Sequence, residues 1–147
     1  MIETDQVPVK VGDEITVEIN GYATQGEGVG RFQGFTVFVP NCLDGETVRT
    51  RIELVKKNYA RGELLAVLKE SPHRIPPACR LYAQCGGCQL LHMDYPGQLA
   101  FKRRRVIEVM ERLGGLKNIT VHPVLGMPQP WHYRNKVQYP FALDDRG

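Results

Sequence analysis

Three cysteines fall within ten residues, in the run Cys79-Arg-Leu-Tyr-Ala-Gln-Cys85-Gly-Gly-Cys88 with the spacing C-x5-C-x2-C. Nothing else in the sequence restricts the folding of its surroundings as strongly. Thiolates are soft, strongly donating ligands, and three so close can hold one tetrahedral metal or one iron–sulfur cluster with little extra loop to order. Gly86 and Gly87 fill the C-x2-C turn. Lacking a Cβ, they let the backbone wrap closely and aim its amides at a cluster sulfide. The plainer reading is a set of buried or disulfide-bonded cysteines. The spacing points to metal without deciding which metal.

The redox compartment bears on that choice. No run of about 18 apolar residues and no basic-then-apolar leader is read, so neither a membrane span nor a signal peptide is expected. A cytoplasmic protein with reduced thiols follows, which favours metal over disulfides. At 147 residues, one domain or two small ones are expected. Charge is uneven. Residues 1–47 hold two basic and eight acidic side chains, a net of −6, whereas residues 48–147 hold seventeen and eight, a net of +9. A basic second part beside a metal-binding loop points to a nucleic-acid partner; the alternative is a solvated basic surface.

Upstream of the cysteines the sequence reads as strands. Glu14 to Asn20 alternates, with Ile15, Val17 and Ile19 on one face. A glycine-dense stretch follows (Gly21, Gly26, Gly28, Gly30 and Gly34), without the G-x-x-x-x-G-K-[ST] order of a phosphate loop. Its glycines suit bulges and a tight strand-to-strand turn. Phe35 to Val39 reads as a buried strand. Glu46 to Val55 alternates irregularly, which predicts a bulge or bend. Lys56 to Arg61 reads as a turn and Gly62 to Glu70 as the last strand. Five short strands without a helix predict a small, closed, OB-like β-barrel over residues 9–70. The candidate contacts to an unpaired strand on its surface are Tyr22, Arg31 and Phe32, with the row Arg49, Arg51, Lys56, Lys57 and Arg61.

Residues 71–78, rich in proline, read as a linker, and residues 79–147 as an α+β second part. Asp94 is the expected N-cap of a helix over about Tyr95 to Leu113, with Pro96 in its first turn. Leu99, Val106, Met110 and Leu113 share one face, and Glu108 is placed to pair with Arg105 and Arg112. The consecutive cations Lys102, Arg103, Arg104 and Arg105 are candidate phosphate contacts. Ile119 to Leu125 and Val137 to Leu143 read as strands beginning an antiparallel sheet. Between them, Trp131-His132-Tyr133-Arg134-Asn135-Lys136 interleaves aromatics with Arg134, Asn135 and Lys136, groups that stack on and hydrogen-bond to unpaired bases. The closing Asp144-Asp145-Arg146-Gly147 reads as a loop inside a sheet, so a fragment is expected.

Two resemblances sharpen this reading. Gly21 to Gly30, Phe35 to Pro40 and the pair Gly45-Glu46 resemble the TRAM domain, a small RNA-binding β-barrel of RNA-modifying enzymes. The Cys85-Gly-Gly-Cys88-Gln loop and the Pro130-Trp-His-Tyr-Arg-Asn-Lys136 segment, taken with it, resemble the N-terminal part of the RNA uracil-5-methyltransferases that act on 23S ribosomal RNA and tRNA. That resemblance implies that Cys79, Cys85 and Cys88 are ligands of a [4Fe-4S] cluster whose fourth cysteine is missing from this chain, since Cys42 does not match its position. It implies a structural role for the cluster, a ribosomal RNA substrate in preference to tRNA, a monomer, and S-adenosylmethionine as methyl donor in the full-length enzyme. No catalytic nucleophile or base has a counterpart here, so the chain alone is expected to be inactive. Two other readings remain. His92 follows Cys88 at C-x3-H, so a Cys3His zinc module binding RNA is open. A small electron-transfer protein would want four clustered cysteines and has no use for the barrel or the basic helix.

Overall fold

The structure, a computed structural model, describes residues 7–136 and Gln138. Strands β1 (Glu14–Tyr22), β2 (Gly28–Phe32), β3 (Phe35–Val39), β4 (Thr47–Val55) and β5 (Tyr59–Lys69) close into a barrel in the order β1-β2-β3-β5-β4. All neighbours are antiparallel except β3 and β5, which run parallel from Thr36↔Tyr59 to Phe38↔Arg61. The OB-like barrel expected from the strand pattern is therefore the observed one.

Alternation builds its core. Ile15, Val17 and Ile19 of β1 point inward against Val48 and Ile52 of β4, Val37 and Val39 of β3, and Ala60 of β5. Thr50 shares the inward phase of β4 and is fully buried; its hydroxyl donates to the Glu63 carbonyl at 2.7 Å, so the polar atom carries its own partner. Two glycines make the closure possible. A Cβ on Gly30 would stand 2.5 Å from the Glu18 carbonyl oxygen, and one on Gly62 would collide with the Thr50 hydroxyl. The β2–β3 hairpin turns through Gln33 and Gly34, at φ of 49° and 84°. Two consecutive positive φ values match the twist of the flanking strands.

The irregularity expected in β4 is present as register shifts against β5, the last between Ile52 and Leu54, which leaves Leu54 exposed. The turn expected over Lys56 to Arg61 is shorter. β5 begins at Tyr59, because Ala60 is drawn into the core and its backbone pairs with Val37.

Beyond the barrel, a short helix α1 (Tyr82–Cys85) lies in the cysteine loop and α2 (Tyr95–Arg112) follows. Asp94 caps α2 as expected, its carboxylate accepting the Gly97 N–H at 2.8 Å. Glu108 pairs with Arg104 at 3.0 Å and more loosely with Arg105, not with Arg112. The expected apolar face is covered only at its first half, for Val106, Met110 and Leu113 are exposed. The strand expected over Ile119 to Leu125 does not form. That segment runs back along α2, where Arg103 Nε donates to the Val121 carbonyl at 2.9 Å and Met127 N–H to the Tyr95 hydroxyl at 2.8 Å. Val137 to Leu143, apart from Gln138, lies outside the described residues.

Candidate nucleic-acid interface and cysteine loop

The second part is bolted to the barrel by one buried charge. Glu46, just ahead of β4, is fully buried. Arg74 grips its carboxylate with both prongs, Nε at 2.5 Å and Nη2 at 2.7 Å. The Leu43 and Ser71 amides donate to the same two oxygens, and Arg74 Nη2 also donates to the Asn41 carbonyl at 2.8 Å. Burial works to raise the Glu46 pKa, but the guanidinium and the two amides outweigh it and hold the carboxyl below its ordinary value. The residues read as a linker are thus tied down at Ser71 and Arg74. Arg74 bridges to Met93, and Ile75 N–H donates to the His92 carbonyl at 3.0 Å.

The cysteine loop hangs from this clasp through Tyr82. Its hydroxyl lies 2.5 Å from His92 Nδ1, 3.3 Å from the Gln89 carbonyl and 3.4 Å from Asn41 Oδ1 of the barrel. Tyr82 sits between Cys79 and Cys85, so the barrel fixes the middle of the ligand loop. Helix α1 stops at Gly86, whose left-handed φ of 65° turns the chain towards Cys88. Cys79, Cys85 and Cys88 are all free and exposed. As a donor set, three unpaired thiols in one loop suit a cluster. Among the described residues, however, no three His, Cys, Asp or Glu side chains converge as a metal site, so the loop would have to draw its thiols together around one.

His92 does not serve the zinc reading. It is 2% exposed, its Nδ1 is taken by Tyr82, and its Nε2 is buried without a partner among the described residues. Burial, and then the nearby Arg74 charge, push its pKa down to about 4. A ring enclosed in this way is a neutral packing element of the barrel junction, not an available fourth ligand. Cys42 is equally removed from chemistry. It is fully buried in the barrel, and burial and then the Glu46 charge push its thiol up to about 12.

The cations expected to meet RNA divide into two groups. Arg104 reaches back to Asp44 at 2.6 Å and Arg105 to the Thr24 hydroxyl at 3.0 Å, so both dock α2 on the barrel. Tyr22 joins them. Its ring meets Phe101 of α2 edge-on at 4.8 Å and its hydroxyl accepts the Asp44 N–H, which removes it as an open stacking surface. Phe32 packs against the barrel core, again leaving little face to a base. These side chains hold the two parts together, a role that their sequence positions do not reveal. Arg31 is exposed and bends onto the Gly34 carbonyl. Lys102 and Arg103 are exposed on α2. On the barrel, Arg49, Lys56 and Lys57 are exposed, while Arg51 pairs with Glu14 and Arg61 with Glu27. Arg134, Asn135 and Lys136 are exposed, and the Arg134 guanidinium stands 5.8 Å over the Tyr133 ring.

Comparison with known families matches residues 8–65 to the TRAM domain. The matched span takes in β1 to β4 and the first part of β5. Similarity extends well past it. Over 140 residues, 95% of this chain, the sequence is 46% identical to an uncharacterized RNA methyltransferase of Bacillus cereus. Over 138 residues, 94% of this chain, it is 47% identical to an uncharacterized RNA methyltransferase of Clostridium tetani. The chain spans only 30% of the length of each of these curated relatives. The crystal structure of the Pyrococcus abyssi tRNA (uracil-54, C5)-methyltransferase in complex with S-adenosyl-L-homocysteine matches with a TM-score of 0.43 at 26% identity, covering 65% of this chain and 21% of that one. No helix among the described residues is long and apolar enough to cross a membrane.

Proposed function

We propose that this chain is the RNA-gripping portion of an S-adenosylmethionine-dependent RNA (uracil-C5) methyltransferase acting on 23S ribosomal RNA in the cytoplasm. The observation that carries the reading is a barrel matching the TRAM domain, tied to a cation-bearing helix through Arg104 and Asp44, in a chain similar to RNA methyltransferases over nearly its whole length. The uracil reading rests on the resemblance carried by the Cys85-Gly-Gly-Cys88-Gln and Pro130-to-Lys136 motifs together with the barrel, and ribosomal RNA is chosen over tRNA as part of this proposal. The barrel and α2 bind and orient the strand. Methyl transfer belongs to the part of the relatives that this chain does not span, and Cys42, enclosed in the barrel, cannot act as its nucleophile.

Cys79, Cys85 and Cys88 would hold a [4Fe-4S] cluster, with the fourth thiol supplied from outside this chain. When bound, that group would supply a cross-link between the three thiols of the loop. Tyr82 keeps the loop seated on the barrel while this occurs.

The test is mapping of 5-methyluridine in ribosomal RNA from cells lacking the gene. Loss of one or more such sites, restored by the full-length protein, is expected. Unchanged ribosomal 5-methyluridine would reject the substrate. Iron at the level of the longer protein that does not fall in a Cys79→Ser, Cys85→Ser, Cys88→Ser triple variant would reject the ligand assignment.

A further inference from the structure

We propose that the cleft between the cysteine loop and α2 is a subsite for one unpaired nucleobase of the bound RNA, with Trp131 as its stacking platform. This deepens the RNA-gripping reading above and rests on it. The cleft has a volume of about 510 Å³, within the ~300–1,000 Å³ span of pockets that enclose small organic ligands.

Its lining is suited to a flat, partly polar ring at the end of a charged strand. Met93 and Leu90 give apolar contact, and Tyr95, Trp131 and Tyr133 give aromatic surface. Trp131 is 50% exposed and Tyr133 61% exposed, so neither ring is spent on the protein's own packing. Aromatic faces left open in a cleft are what unpaired bases stack on, whatever their identity.

Charge selects the occupant. Lys102 reaches the cleft from α2, and Arg134 stands over the Tyr133 ring beside it. These cations suit the phosphates on either side of an inserted base and have no use for an apolar peptide. Asp94, the carboxylate in the lining, engages His73 Nδ1 at 3.0 Å and the Gly97 N–H through its Oδ1. Nor is the cleft the thiols' own space, since Cys88 alone of the three loop cysteines lines it.

Trp131 is the single tryptophan of the chain, so its fluorescence reports this cleft and nothing else. The experiment titrates the chain with a short unstructured RNA oligonucleotide. It follows RNA anisotropy and Trp131 emission together. Quenching of Trp131 in step with the anisotropy rise is expected. Trp131→Ala should weaken binding roughly 5- to 150-fold, the equivalent of one lost base stack, while Trp131→Phe keeps most of the affinity. An anisotropy rise with no change in Trp131 emission overturns the subsite and leaves the RNA-gripping reading standing. Absence of any anisotropy change overturns both. Should Trp131→Ala fail to fold by circular dichroism, the wild-type quenching decides alone.

Discussion

The residue with most at stake is Glu46, a carboxylate with no exposed surface whose charge is answered by one guanidinium and two amides. Breaking a buried pair from one side leaves the other charge uncompensated, which costs about 3–5 kcal/mol. Arg74→Ala should therefore lower the urea midpoint of unfolding by that equivalent, and a change below about 1 kcal/mol, the level of a surface pair, would mean the clasp is solvated. His92 sets a pH limit. Its folded pKa, about 4, lies below the ordinary imidazole value of 6.5, so the unfolded chain binds the extra proton in that interval. The contribution is complete above pH 6.5 and is lost as pH falls towards 4, an acid loss of up to about 3 kcal/mol. Glu46 acts in the same direction at lower pH, since its carboxyl is held below its ordinary value. Stability measured by urea unfolding from pH 7 to pH 4 should fall in the wild type and fall less steeply in His92→Gln. Parallel curves would show that His92 is not the group protonated.

At the scale of elements, the joint between barrel and α2 is held by unlike contacts. Tyr22 and Phe101 meet edge-on, whereas Arg104 and Asp44 form an ion pair open to water. Aromatic burial outweighs an exposed pair. Phe101→Ala should raise hydrogen exchange along α2 and cost about 1–3 kcal/mol, while Arg104→Ala stays below about 1 kcal/mol; equal effects would contradict that ranking. Tyr82 is the matching joint for the cysteine loop. Tyr82→Phe should speed proteolysis within residues 79–92 while β-barrel amides stay protected, and an unchanged cleavage rate would show that the hydroxyl does not hold the loop. Period-two alternation made β1 readable, a short apolar run made β3 readable, and the Asp94 cap with its 3.6-residue period made α2 readable, because these signals are local. The early start of β5 was hidden, since Ala60 gains its burial only from pairing across to Val37. Ile119 to Leu125 reads as a strand yet has no partner strand among the described residues, and it lies along α2 instead.

Across the whole molecule, the acidic first third and basic remainder are less separate than their charges suggest. Arg74, Arg104 and Arg105 are consumed in joining them, and Arg74 and Arg104 take up the carboxylates of Glu46 and Asp44. Sequence spacing marked the cation run on α2 but could not show which members face the barrel, because the docking angle is a tertiary fact. The same limit applies to Tyr22 and Phe32, aromatic in the sequence and absorbed into packing in the fold. Of the side chains expected to meet RNA, Lys102, the segment from Trp131 to Lys136, and Arg49, Lys56 and Lys57 on the barrel stay exposed. The most direct test of this assignment is the salt dependence of binding to a single-stranded fragment of 23S ribosomal RNA. Each phosphate neutralised contributes about −0.7 to the slope of log affinity against log salt. Binding with a slope of roughly −2 to −4, reduced by about one contact in Lys102→Ala, is predicted. No binding at low salt, or an affinity indifferent to salt, would contradict the account of this chain as an RNA grip.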